Sequence, residues 1–234
     1  MRRTIRSTET LAKMPLFRSL SASETSRLDT QCVWRTVHED KWIIEHHEQT
    51  DDVIFVVSGA ARVKIQSISG REVLLREISA GEFFGEIAAI DGHPRSSGIV
   101  AVTGVVVARM PSTVFRAAIH SYPDVCDQLL GILARQIRIL TNRVDEFANL
   151  NVRHRVYAEL LRLARSAAHG AVRKVISPPP LHAEIAARIS TRREAVAREI
   201  KALERAGLVI RRRGGLELIN PEAMRQLIED ASSE

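Results

Sequence analysis

The chain has 234 residues, 45% hydrophobic and 26% charged, which is enough apolar material for one large core or two small ones. The formal net charge of +6 is uneven: residues 1–150 hold 18 basic and 18 acidic side chains, and residues 151–234 hold 16 basic and 10 acidic. No run approaches the roughly 18 consecutive apolar residues of a membrane span, so a cytoplasmic chain is expected, with a basic back half suited to a polyanion.

Met1-Arg2-Arg3 is followed by no apolar stretch and reads as a polar tail rather than an export signal. Residues 11–31 predict short helices around Pro15 and Ser21, and Ser21-Ala22-Ser23-Glu24 has the form of a capping box. From Val33 to about Arg109 short apolar runs recur: Trp42-Ile43-Ile44, Val53 to Val57, Ala61 to Ile65, Val73-Leu74-Leu75, Ile99 to Val102 and Val105-Val106-Val107. Turn residues separate them at Ser58-Gly59, Ser69-Gly70, Ala80-Gly81, Asp91-Gly92 and Gly104. Many short strands with regular turns predict a β-sandwich or barrel. The connections are too short for crossover helices, so antiparallel pairing is expected. Cys32 and Cys126 lie far apart in no metal spacing and read as reduced buried thiols; no metal site is expected.

After Pro111 the texture becomes helical. Residues 112–120 predict one short helix, and Pro123 suits the first turn of a long one. Leu130, Leu133, Ile137, Leu140, Val144 and Phe147 then follow alternating gaps of 3 and 4, a heptad seam. With Arg135, Arg138, Asn142, Arg143 and Glu146 off the seam, a homodimer is expected. Asn149-Leu150-Asn151 ends the pattern and reads as a hinge.

A further helix is expected over 152–168, with Val156, Leu160, Leu161 and Leu163 as its apolar face and His169-Gly170 as its stop. Residues 171–180 read as a connection. Residues 181–206 then read as helix, tight turn, helix. Leu181, Ile185 and Ile189 share one face; Ser190 or Thr191 is placed to cap the second helix; and Val196, Ile200 and Leu203 face inward. Past Gly207, Leu208-Val209-Ile210 and Leu216 to Ile219 flank Arg211-Arg212-Arg213-Gly214-Gly215, a hairpin with a basic tip. The candidate DNA-contacting set is His182, Thr191, Arg192, Arg193, Glu194, Arg198, Lys201, Arg211, Arg212 and Arg213. Arginine offers guanine two parallel donors, and a carboxylate accepts from cytosine N4, so Arg193, Glu194 and Arg198 are the candidate base readers. His182 and the three hairpin arginines suit phosphates.

Two motifs resemble those of the CRP/FNR family: Phe84-Gly85-Glu86-Ile87-Ala88 followed by Pro94-Arg95-Ser96-Ser97, and Arg193-Glu194 with Arg198 four residues on. The likeness runs from about Leu11 to Pro221. It implies an α+β chain: a cyclic-nucleotide-binding β-roll, or jelly-roll, over 1–122; a dimerisation helix over 123–150; and a winged helix-turn-helix DNA-binding domain over 151–234. The first motif then stands for a phosphate-binding cassette. Arg95 and Ser96 would meet the cyclic phosphodiester, Glu86 the ribose 2′-OH, and Gly85 a closely approaching backbone, with Ile87, Ala88 and Ser97 completing the shell. The family contacts the base through two adjacent hydroxyl residues on the long helix, whose positions here hold Leu140 and Thr141. Leu140 cannot reward an exocyclic amine, so cyclic AMP is expected and cyclic GMP remains open. The resemblance also implies a palindromic TGTGA-like DNA site and an RNA polymerase contact around His169–Ser177.

Other readings differ in class. A haem sensor would draw on His38, His46, His47 or His93; an iron–sulfur sensor lacks the cysteines it needs. A ligand-independent regulator would keep the cassette as structure alone. An enzyme is not expected, because no nucleophile–base pair, metal cluster or P-loop is present. RNA recognition would need aromatic residues among the arginines of the back half.

Overall fold

The computed structural model describes residues 10–66, 72–166 and 173–232, so the tail Met1-Arg2-Arg3, the turn Ser69-Gly70 and the helix stop His169-Gly170 lie outside the described residues. The chain divides into two units, Met1–Arg135 and Gln136–Glu234.

In the first unit two 3₁₀ turns, Leu11–Lys13 and Pro15–Phe17, precede α1 (Ala22–Gln31). Its capping box forms as expected: Ser21 Oγ accepts from the Glu24 amide at 3.3 Å, and the Glu24 carboxylate accepts from the Ser21 amide at 2.8 Å. Then come β1 (Val33–Val37), β2 (Trp42–Ile44), β3 (Val53–Ser58), β4 (Ala60–Gln66), β5 (Glu72–Ser79), β6 (Phe83–Phe84), α2 (Glu86–Asp91), β7 (Gly98–Ala101), β8 (Val105–Met110), α3 (Ser112–Ser121) and the start of α4 (Pro123–Asn149), whose residues from Gln136 on belong to the second unit. The strands form two four-stranded sheets, β1-β8-β3-β6 and β2-β7-β4-β5, and their pairings are antiparallel.

The unbroken apolar run of β3 has a direct cause: both of its faces are covered. Val53 and Phe55 point to a cluster with Phe17, Phe83 and Phe115, while Ile54 and Val56 point between the sheets to Ile44, Ile78 and Val107. The Phe55 ring sits 5.1 Å from Phe17 and 5.6 Å from Phe83. β1, by contrast, is no apolar run: Arg35 and Thr36 face outward, which hides it from a search for hydrophobic stretches.

The long helix α4 buries Val125 and Leu129 in the first core. Farther along, Leu130, Ile137, Leu140, Val144 and Phe147 are exposed, by 40% at Phe147 up to 68% at Val144.

The second unit adds α5 (Val152–Leu163), β9 (Arg165–Ser166), β10 (Lys174–Ile176), α6 (His182–Arg188), α7 (Arg193–Arg205), β11 (Val209–Arg212), β12 (Gly215–Leu218) and α8 (Pro221–Ser232), with sheet order β11-β12-β10-β9. Four sequence expectations change here. The helix expected over 152–168 ends at Leu163, because Ala164 turns extended and Arg165–Ser166 pair with β10. The connection over 171–180 contains that strand. Leu181 is 70% exposed, whereas Ile185 and Ile189 are buried; as the extended residue before α6, Leu181 does not follow helical spacing. Neither Ser190 nor Thr191 caps α7: the capping position is Arg192, Ser190 takes the turn at φ 51°, and the Thr191 amide donates to the Ala186 carbonyl at 3.0 Å. Val196, Ile200 and Leu203 do face inward, joining Val156, Leu160, Ile185 and Met224 in one core.

Candidate functional site

The Gly85-Glu86…Arg95 motif closes on itself at the end of β6. Gly85 opens α2 at φ +86°, and a Cβ there would collide with the Arg95 guanidinium and stand 2.8 Å from the Asp52 carbonyl oxygen. Glu86 is 4% exposed. Burial raises its pKa, with Arg76 and Arg95 opposing that rise. Ala88 is buried and Ile87 is exposed; Ser96 is exposed and Ser97 half-buried.

Arg95 is 2% exposed, and the protein itself holds it. Nε donates to Thr50 Oγ1 at 3.1 Å, Nη1 to the Gly85 carbonyl at 3.2 Å, and Nη2 to both the Asp52 carbonyl at 2.7 Å and Asp52 Oδ1 at 2.8 Å. Arg109 of β8 reaches the same carboxylate, Nε to Oδ2 at 2.5 Å and Nη2 to Oδ1 at 3.1 Å. The expected cation is therefore in place beside Gly85 and already carries a counterion. Sequence reasoning missed Thr50, Asp52 and Arg109. The only local trace is the polar triplet Thr50-Asp51-Asp52 at the head of an apolar strand.

In the second unit, α6, the turn and α7 form the expected helix-turn-helix, and β11 and β12 form the hairpin beside it. Arg192, Arg193, Glu194, Arg198 and Lys201 are exposed on α7 and at its entry; Thr191 and His182 are half-buried. Arg198 Nε lies 3.1 Å from Glu199 Oε1. On the hairpin Arg211 pairs with Glu204 at 3.3 Å and Arg212 with Glu217 at 3.4 Å, while Arg213 stands exposed at the tip beside Gly214. A cleft of about 440 Å³ runs between the two motifs, lined by Leu181, His182, Arg193, Ile200, Arg211 and Leu216. Partial burial pushes the pKa of His182 down, and Arg211 and Arg193 push it the same way. The imidazole is thus biased toward its neutral form.

Comparison with known proteins matches residues 34–122 to the family model of the cyclic nucleotide-binding domain and residues 154–227 to that of the Crp-like helix-turn-helix domain. The chain belongs to the CRP/FNR family of transcription regulators. The CRP/FNR chain is 29% identical over 195 residues to the Cyclic AMP receptor protein of Thermus thermophilus, covering 83% of this chain and 88% of that one. It is 28% identical over 157 residues to the CRP-like cAMP-activated global transcriptional regulator of Mycobacterium tuberculosis (strain CDC 1551 / Oshkosh), covering 67% and 70%. Among solved structures, the Thermus thermophilus Catabolite Activator Protein superposes with a TM-score of 0.53 at 27% identity, over 93% of this chain and 99% of that one. A CooA variant from Carboxydothermus hydrogenoformans shares the fold, with a TM-score of 0.77 at 15% identity over 97% and 99%.

As a CRP/FNR regulator the chain carries a cyclic nucleotide-binding domain and binds DNA; the family consists of DNA-binding regulators, not enzymes. Not every expected ligand residue falls in the roll. Leu140 and Thr141 belong to the second unit, where Leu140 is 57% exposed and Thr141 donates its hydroxyl back to the Ile137 carbonyl at 3.0 Å. Of the histidines weighed for haem, His46 and His47 stack on one another at 3.8 Å, and exposed His93 lies 3.6 Å from Asp91. No described helix is long and apolar enough to cross a membrane.

Proposed function

We propose that the chain is a homodimeric transcription regulator gated by a cyclic nucleotide, with 3′,5′-cyclic AMP the first ligand to test and cyclic GMP the second, and that it reads a palindromic TGTGA-like site. One observation carries this reading: half-buried Gly85 and buried Glu86 and Arg95 converge in a β-roll that continues, in the same chain, into a helix-turn-helix with Arg193, Glu194 and Arg198 exposed. Relatives named as cAMP-activated support the choice of ligand.

The residues fit a cyclic phosphodiester. Arg95 and the exposed Ser96 supply one cation and a hydroxyl donor, with Ser97 and the first-turn amides of Ile87 and Ala88 close in sequence. The absent side chain at Gly85 lets the Arg95 guanidinium pack directly against the turn. Glu86 offers an acceptor suited to a ribose hydroxyl. Thr141 can meet a base edge and Leu140 cannot, so selectivity between adenine and guanine is expected to be modest. The exposed apolar side chains of α4 at 137, 140, 144 and 147 favour a seam between two copies. A bound cyclic nucleotide supplies differential affinity for one packing of that seam. Two recognition helices then meet successive major grooves about 34 Å apart. Arg193, Glu194 and Arg198 read bases there; His182, Thr191, Arg192, Lys201 and Arg211 to Arg213 hold phosphates. RNA polymerase is the expected further partner.

A mobility-shift titration on a palindromic TGTGA duplex tests the reading. Cyclic AMP should tighten binding about tenfold or more over ligand-free protein. Equal affinity with and without cyclic AMP and cyclic GMP would mark a ligand-independent regulator, and a haem absorbance band in the purified protein would mark a gas or redox sensor.

A further inference from the structure

A guanidinium has five N–H donors, and the contacts of Arg95 engage four of them: one at Nε, one at Nη1 and both at Nη2. Thr50 is itself fixed, donating its hydroxyl to Glu48 at 3.0 Å and accepting from Arg95. The Asp52 carboxylate, 16% exposed, lies between two arginines and accepts from both. An anion that approaches Arg95 therefore meets a cation already bonded to a carboxylate, one that it shares with Arg109.

We propose that Asp52 is a built-in competitor for the anion position of the cassette, so that an anionic ligand is taken up by exchange, its phosphodiester replacing the Asp52 carboxylate on Arg95 while Arg109 retains Asp52. The inference deepens the cyclic-nucleotide reading above and rests on it. Arg109 makes the exchange feasible. A carboxylate stripped of one cation in a low-dielectric site is costly unless another remains, and Arg109 holds both Asp52 oxygens. The exchange swaps one charge-assisted pair for another, so the phosphodiester–Arg95 contact adds little net affinity by itself. Binding must then come from the ligand's other contacts, at Glu86, at Ser96 and at the base. A small anion such as inorganic phosphate can share only the Ser96 contact, lacks those of the ribose and the base, and is disfavoured. Asp52 thus sets both a threshold and a selectivity filter.

Calorimetric titration of the full chain with cyclic AMP and cyclic GMP tests this. Asp52→Asn keeps the shape and an acceptor but loses the charge. A charge-assisted bond exceeds a neutral one by enough to predict about tenfold tighter binding of both nucleotides. Arg109→Lys, which loses the two-point hold on Asp52 but keeps a cation, should weaken both severalfold. An Asp52→Asn chain that melts like wild type and binds no tighter overturns the exchange. So does Arg109→Lys binding as well as wild type or better, and that arm decides if Asp52→Asn does not fold. Binding to wild type without a gain in Asp52→Asn sinks the exchange alone. Failure of wild type and Asp52→Asn alike to bind either nucleotide sinks the cyclic-nucleotide reading and the exchange with it.

Discussion

The Gly85 carbonyl accepts a hydrogen bond from Arg95 Nη1 at 3.2 Å, and the Gly85 Cα approaches the same guanidinium so closely that a methyl group cannot fit between them. Gly85→Ala should therefore act twice. The left-handed backbone alone costs a side chain about 1–3 kcal/mol, and the collision forces Arg95 to move. The expected result is a melting temperature lowered by several degrees. An unchanged melting temperature would show that the turn and Arg95 accommodate a methyl group without cost.

Glu86 makes stability depend on pH in a definite sense. Burial lifts its pKa in the folded chain above the ordinary 4.5, so the unfolded chain releases this proton first. The contribution is most favourable below that value and is lost as pH rises through the folded one. Glu86→Gln does not titrate. Its ligand-free melting temperature should match wild type at low pH and exceed it by a margin that grows as pH rises above the ordinary 4.5 and levels off above the folded pKa. A constant margin across that range would show that Glu86 keeps its ordinary pKa.

In the second unit Glu159 is fully buried among arginines: Arg143 Nη1 at 3.8 Å, Arg188 Nε at 3.7 Å, and Arg162 in direct contact. Arg143 also donates to the Arg188 carbonyl and lies over the Phe147 ring at 5.8 Å. The cluster ties the distal half of α4 to α5 and α6. Removing the buried carboxylate that these arginines share should destabilise the chain, so Glu159→Ala is expected to cost about 3–5 kcal/mol in denaturant titration.

At the DNA surface the two arginine classes should separate. Arg193→Ala should cost about 1–3 kcal/mol per half-site and relax specificity at one base pair. Arg213→Ala should weaken binding on all sequences and reduce the salt slope by about one. Equal losses for Arg193→Ala on specific and random duplexes would reassign it to a phosphate.

The exposed seam predicts assembly. Val144 is 68% exposed, on the same heptad stripe as Ile137 and Leu140. Val144→Glu puts like charges face to face across a parallel seam and should shift the sedimenting species from dimer to monomer. A variant that still sediments as a dimer would place the interface elsewhere.

Local chemistry made much of this molecule legible. Short apolar runs between turn residues announced the antiparallel roll, and alternating gaps of 3 and 4 announced the long helix. The Gly85-Glu86…Arg95 and Arg193-Glu194…Arg198 clusters could be read because each lies within about ten residues of sequence. Elsewhere short elements escaped: β6 has two residues, β9 and β10 sit where the composition reads as helix end and loop, and the α7 cap follows the turn at Ser190 rather than residue preference.

The anion cassette divides along the same line. The sequence by itself determined which glycine, carboxylate and arginine belong to it, since a tight turn, an acceptor and a cation are needed at close spacing. Only the tertiary structure decided that this cation already carries a counterion. Asp52 lies 43 residues before Arg95 and 57 before Arg109, and what joins them is the β3–β8 pairing that sets Ile54 opposite Arg109. Electrostatics acts through space, and no spacing rule along the chain records it.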